Sequence, residues 1–185
     1  MNEEIITLPL LALRGMMVFP GMIINLDVGR EKSIAAVEAA MEGNRRLLLT
    51  TQKDAALTDV QPDDLYKFGS LAEVKQLLKL PNGAIRILVE GLERVEYVSI
   101  TESATEKVYF AGHARILEPV LGYEVEVEAL RRMLIESFEQ WVLVTKKVNS
   151  EVLQALKGQP DTGRVPDMIA GYLTVAMEEK QQLLE

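Results

Sequence analysis

At Pro119 the spacing of apolar residues changes from an alternation of two to a helical period of 3.6. One packing scheme cannot serve both rhythms. Residues before that point read as short strands with a single helix, and residues after it read as helices. The predicted fold class is α+β, with a β-rich unit over 1–118 and an α-helical bundle over 119–185. Many closely spaced strands with one helix point to a small, partly closed barrel.

In the first part, Ile5 to Leu13 is an almost unbroken apolar run of strand length. Pro9 places it at an edge or a bulge, because proline gives the ladder no N–H. Residues 22–28 form a second strand, closed by Gly29. EKSIAAVEAAMEG then moves to helical spacing, with Ile34, Val37 and Met41 on one face and Gly43-Asn44 as the stop. RLLLTTQ is a short, buried strand, and the acidic stretch 53–65 with Pro62 is a loop. LLKLPNGAIRILVEG carries the strongest local signal: Asn82-Gly83 between two apolar runs predicts a hairpin, since both residues tolerate positive φ. Gly91 marks a bulge or bend, and two more strands follow near 92–101 and 107–117.

In the second part, Leu130, Met133, Leu134, Phe138, Trp141, Val142 and Thr145 follow one helical stripe. Glu124, Glu126 and Glu128 at its start and Lys146-Lys147 at its end suit the helix dipole. Asn149 or Ser150 caps a second helix that stops at Gly158. A third begins near Arg164, with Pro166 in its first turn and Ile169 and Leu173 as its buried stripe. VAMEEKQQLLE opens a further helical pattern, and the natural chain is expected to continue past Glu185.

The search for catalytic chemistry returns structural readings. There is no cysteine and one histidine, which excludes thiolate chemistry and Cys/His zinc sites within one chain. GQPDTGRV at 158–165 has the glycine spacing of a phosphate loop. Arg164 and Val165 stand where that loop needs Lys and Ser/Thr, so it reads as an interhelical turn. His113 reads as a half-exposed strand residue on the face of Arg115, and no G-x-S-x-G elbow is present. Asp63-Asp64 reads as a solvated pair, and Phe138 with Trp141 as core rather than an aromatic cage. A net charge of −8 argues against nucleic acid and anionic membranes as partners. No apolar run approaches membrane-spanning length, and MNEEIITLPL lacks the basic start of a secretory signal, so a cytoplasmic location is expected.

LPLLALRGMMVFPGMIINLDVGREKS resembles the opening of the N-terminal domain of Lon, the ATP-dependent bacterial protease family. The matching residues are Leu13-Arg14, Phe19-Pro20-Gly21, Val28-Gly29-Arg30 and Ser33. The likeness continues through Gly69, Leu80-Pro81, Gly83 and Val89-Glu90-Gly91, and ends in EEKQQLLE. It departs at Ala12 and Asn25, where the family usually carries proline. The resemblance implies a PUA-like β-rich subdomain followed by a helical bundle. It also implies a parent homo-hexamer whose AAA+ and Ser-Lys protease modules use ATP and Mg. The chain itself would be non-catalytic and cofactor-free, would recognise unfolded or damaged proteins and support hexamer assembly, and as a fragment could form a weak dimer. The alternative is a stand-alone LON/PUA-like module for a small ligand or RNA.

Within this resemblance, LRGMMVFPGMI gains interest. Leu13 belongs to the first strand and Phe19 anchors the return of the loop, which leaves Met16, Met17 and Met22 least explained by packing. Methionine is unbranched and adaptable, a property suited to clients of varied shape. These three are the candidate substrate contacts.

Overall fold

The apolar runs become six strands of one curled sheet. The computed structural model describes residues 5–119 and 122–185. In chain order the elements are β1 (Ile5–Leu13), β2 (Ile23–Val28), α1 (Glu31–Glu42), β3 (Arg46–Thr51), β4 (Phe68–Lys79), β5 (Ile85–Glu102) and β6 (Phe110–Ile116). Four helices follow: α2 (Glu124–Thr145), α3 (Ser150–Gly158), α4 (Arg164–Tyr172) and α5 (Met177–Leu184). Neighbours in the sheet run β2-β5-β4-β3-β1-β6, and β5 also pairs with β6, which turns the sheet back on itself. The result is a partly closed ring of mixed α+β character. Among the described residues, only β1 and β3 pair in parallel.

The continuous runs of β1 and β3 are explained by burial on both faces. Leu10, Ala12 and Leu48 join one core cluster with Leu71, Tyr97 and Phe110. Leu11, Leu13, Leu47 and Leu49 join the other, where Val37 and Ala40 of α1 also pack. Pro9 sits where its missing N–H costs nothing: β1 pairs with β3 only from Leu10 onward, and at Pro9 it pairs with β6 alone.

Several expectations are corrected in detail. Of Asn82 and Gly83, only Gly83 has positive φ, at 82°. Leu80 N–H donates to the Ala84 carbonyl at 2.8 Å and Gly83 N–H to that of Leu80 at 3.1 Å, so the loop is Pro81-Asn82-Gly83. Proline fixes φ near −65° for the first central position, which moves Asn82 out of the left-handed region. The strand expected near 92–101 is the continuation of β5, which runs 18 residues through Gly91. The irregularity at Gly91 is a bulge, with the register moving from Leu71↔Glu93 to Ala72↔Gly91. The loop 53–65 contains one 3-10 turn, Pro62–Asp64.

The chain divides into two compact units: the sheet with residues up to Leu117 and Val175–Glu185, and Glu118–Thr174. The last helix, expected within the helical bundle, instead belongs to the sheet unit. Leu184 of α5 is buried, Gln181 Nε2 donates to the Phe68 carbonyl at 3.3 Å, and Arg94 Nε donates to the Leu184 carbonyl at 3.1 Å. These are contacts of long sequence separation, which periodicity does not report.

In the second unit, Ile135, Phe138 and Val142 of α2 pack with Leu156, Val165 and Ile169. Phe138 and Trp141 stack with ring centroids 5.4 Å apart. Leu130 and Met133, expected on the buried stripe, are exposed, and Ile135 takes that place. Asn149 caps α3, its Oδ1 accepting from Val152 N–H at 3.2 Å. Asn149→Ala is expected to destabilise this unit by about 1 kcal/mol, read as lost helical circular dichroism in a urea titration.

Candidate functional site

The segment from Arg14 to Met22 joins β1 to β2, and its backbone is fixed at several points. Gly21 N–H donates to the Gly91 carbonyl at 2.8 Å, and Gly91 N–H donates to that of Met22 at 2.9 Å. The Ser70 and Thr51 hydroxyls donate to the Val18 and Met16 carbonyls at 2.5 and 2.7 Å. Gly15 and Gly21 take positive φ of 64° and 82°, which makes the turns. The Phe19 ring is fully buried, as its anchoring role requires.

The three methionines separate. Met17 is 6% exposed and has no surface to offer a client, which corrects the expectation for that residue. Met16 and Met22 are half-buried against the same core, and the Met22 sulfur accepts from Phe19 N–H at 3.3 Å. Met16 lines a cleft of about 250 Å³ with residues 11–14 of the first strand's end and Leu26 to Arg30. A larger cleft of about 410 Å³ adjoins it at Ala12, Gly29, Arg30 and Ser33, and extends to Lys32, Asp59 and Phe110.

Arg30 stands between the two clefts. Its Nη2 donates to Gln52 Oε1 at 2.5 Å, and the Gln52 amide donates to the Asp54 and Leu57 carbonyls, both at 3.1 Å. Arg14 Nε reaches the Ala55 carbonyl. Two guanidinium groups thus tie the 53–60 loop to the clefts. Burial, and then the nearby charge of Arg14, lower the Arg30 pKa from its ordinary value.

The outer face of β2, β5 and β4 carries a further depression of about 460 Å³, lined by Asn25, Gln76, Leu77, Leu78, Arg86 and Leu88. Ile23, 63% exposed, and Leu78, 59% exposed, stand on this unit as large apolar side chains in water. Arg86 donates to both Asp27 carboxylate oxygens, at 2.6 and 2.8 Å, and so holds that carboxyl below its usual pKa. Sequence reasoning passed over Ile23. The signal was there, because period-two spacing puts it on the face of Asn25 and Asp27, where an apolar residue is out of place.

The residues weighed for catalysis have local partners. His113 accepts or donates through both ring nitrogens, to Thr7 Oγ1 at 2.9 Å and Thr101 Oγ1 at 3.2 Å. In the 158–165 turn, Asp161 Oδ1 accepts from Gly163 N–H at 3.0 Å. Asp64 accepts from Gln61 N–H at 2.9 Å. Among the described residues no group of three or more His, Cys, Asp or Glu side chains is placed to hold a metal ion, and no helix is long and apolar enough to cross a membrane.

Residues 7–185 match the sequence model of the ATP-dependent protease La (LON) substrate-binding domain. The chain belongs to this family. Its LON domain is 45% identical over 185 residues to a Lon protease of Desulforamulus reducens, covering 100% of this chain and 22% of that protein. A Lon protease of Brevibacillus choshinensis is 44% identical over 178 residues, 96% of this chain and again 22% of the relative. The chain therefore spans about a fifth of the length of these curated relatives. The same fold is found in the N-terminal domain of a Mycobacterium avium complex Lon protease. That match has a TM-score of 0.76 at 19% identity and covers 96% of this chain and 89% of that one. A Lon N-terminal domain protein from Xanthomonas campestris superposes with a TM-score of 0.64 at 15% identity, covering 97% and 90%.

Proposed function

We propose that this LON domain is the non-catalytic part of a Lon-type ATP-dependent protease that captures unfolded or damaged polypeptide. The observation that carries the proposal is the match of residues 7–185 to a substrate-binding domain family. Under it, ATP, Mg and the Ser-Lys peptidase belong to other modules of the same chain. The parent assembles as a homo-hexamer in the cytoplasm. The exposed Leu130, Met133, Leu143 and Val144 of α2 supply apolar surface that such an assembly would cover.

Unfolded clients differ from folded ones by exposed apolar side chains and free backbone amides. A binder for them needs adaptable apolar contacts with little sequence preference. The half-buried Met16 and Met22 fit that need, and the charged lip formed by Arg14 and Arg30 borders Met16. Titration with a reduced, unfolded client and with the same client folded tests the proposal. Binding of the unfolded form alone is expected; equal binding or none would overturn it.

Met16→Ser combined with Met22→Ser is expected to weaken client binding several-fold. Both side chains also touch the core, so a loss of stability of about 1–2 kcal/mol should accompany it. Affinity is therefore compared at a temperature where both proteins are folded. Unchanged affinity would return these methionines to packing alone.

A further inference from the structure

We infer that the free edge of β2 captures clients by adding a strand: an extended, unfolded segment of about six residues pairs its backbone with Ile23, Asn25 and Asp27. The inference rests on the proposed client-binding role and specifies its mode.

Among the described residues β2 pairs only with β5, and it ends the strand order of the sheet. The phase of its hydrogen bonds follows from the bond between Gly91 N–H and the Met22 carbonyl, which turns the Met22 carbonyl toward β5. Directly opposed residues in an antiparallel ladder alternate between bonded and non-bonded pairs. With the register Ile23↔Glu90 to Val28↔Ile85, the amides and carbonyls of Ile24, Leu26 and Val28 turn to β5. Those of Ile23, Asn25 and Asp27 turn to the open edge. Such a row of unpaired backbone groups is the template for pairing with another chain.

The side chains around this edge indicate what would pair. The exposed Ile23, with Leu78 and half-buried Leu88 across the outer face, receives alternate apolar side chains of the added strand. The cleft lined by Met16 borders Leu26, Asp27 and Val28 of the same strand, so the edge is continuous with the candidate client contact. A folded protein keeps most of its backbone amides paired and blunts or covers its strand edges, whereas an unfolded one offers bare amides along its length. Backbone pairing therefore selects for the unfolded state without reading sequence. A second copy of this chain is a poorer occupant, because each copy carries a net charge of −8.

Asn25→Pro tests the idea, because its N–H faces the open edge and proline there removes no bond to β5. Affinity for a reduced, carboxymethylated client is measured by fluorescence anisotropy, together with amide hydrogen exchange with and without client. The expected result is about tenfold weaker binding by N25P, and in the wild type slowed exchange at Ile23, Asn25 and Asp27 on client addition. A client peptide methylated on every backbone nitrogen gives the same information with no change to the protein. It should lose binding that the unmethylated peptide shows. Equal affinity for N25P and for the methylated peptide would overturn the inference. Slowed exchange that follows protein concentration without client would overturn it in favour of a second copy. Failure of the wild type to bind any unfolded client would instead overturn the proposed function.

Discussion

Phe19→Ala is expected to lower the stability of the sheet unit by about 3–5 kcal/mol, read from a urea titration of circular dichroism. The ring is fully buried between the strands, and removing it leaves a cavity that the surroundings cannot close. Collapse is blocked because the backbone on either side of Phe19 is held. The Val18 carbonyl accepts from Ser70, and the Phe19 carbonyl accepts from Met22 N–H at 3.1 Å. A Cβ placed on Gly91 would lie 2.3 Å from that same Phe19 carbonyl, so the loop and the bulge are in full contact. The comparison with the Met16 and Met22 variants is what gives the experiment its value. Phe19→Ala should mainly cost stability, and the methionine pair should mainly cost affinity. A Phe19→Ala protein of near wild-type stability would show that the loop is not anchored as described.

Gly69→Ala is expected to cost about 3 kcal/mol or more, beyond the ordinary range for one added methyl in a core. The new Cβ would lie 2.1 Å from the Leu49 carbonyl and 2.8 Å from the Tyr97 hydroxyl. The first of these is backbone of a neighbouring strand and cannot swing aside. The second atom donates a hydrogen bond to that same carbonyl at 3.0 Å, inside the core. Burial holds the Tyr97 hydroxyl well above its ordinary pKa of 10. Tyr97→Phe removes only this bond and should cost about 1 kcal/mol. A Gly69→Ala loss no larger than that of Tyr97→Phe would mean that β4 can move away from β3.

Much of the secondary structure was legible in the sequence. The spans of β1 and α1, the Asn149 cap and the place of Pro166 follow from spacing and from the backbone chemistry of proline, glycine and asparagine. The joining of two expected strands into β5 was not legible, because Gly91 gives the same local signal for a bulge as for a break. The home of α5 was not legible either. Its buried residues, Gln181 and Leu184, contact chain more than eighty residues earlier, and amphipathicity says only that a helix has a partner. At the candidate site, the loop residues Met16 and Met17 have no periodicity to sort them, and only tertiary packing decides that one is buried. The open edge at Asn25 was half legible. The departure from proline at that position is visible in the sequence, but its meaning depends on the phase of the β2 ladder.

The return of α5 to the sheet unit has a mechanical consequence. Residues 118–174 form an excursion that leaves the sheet unit after Leu117 and rejoins it at Val175. Arg94 meets both crossings, its carbonyl accepting from Leu117 N–H at 2.9 Å and its guanidinium donating to α5. A pull applied at Glu185 therefore loads α5 and the strands under it before any tension reaches the helical excursion. The sheet unit is the first to bear force applied there.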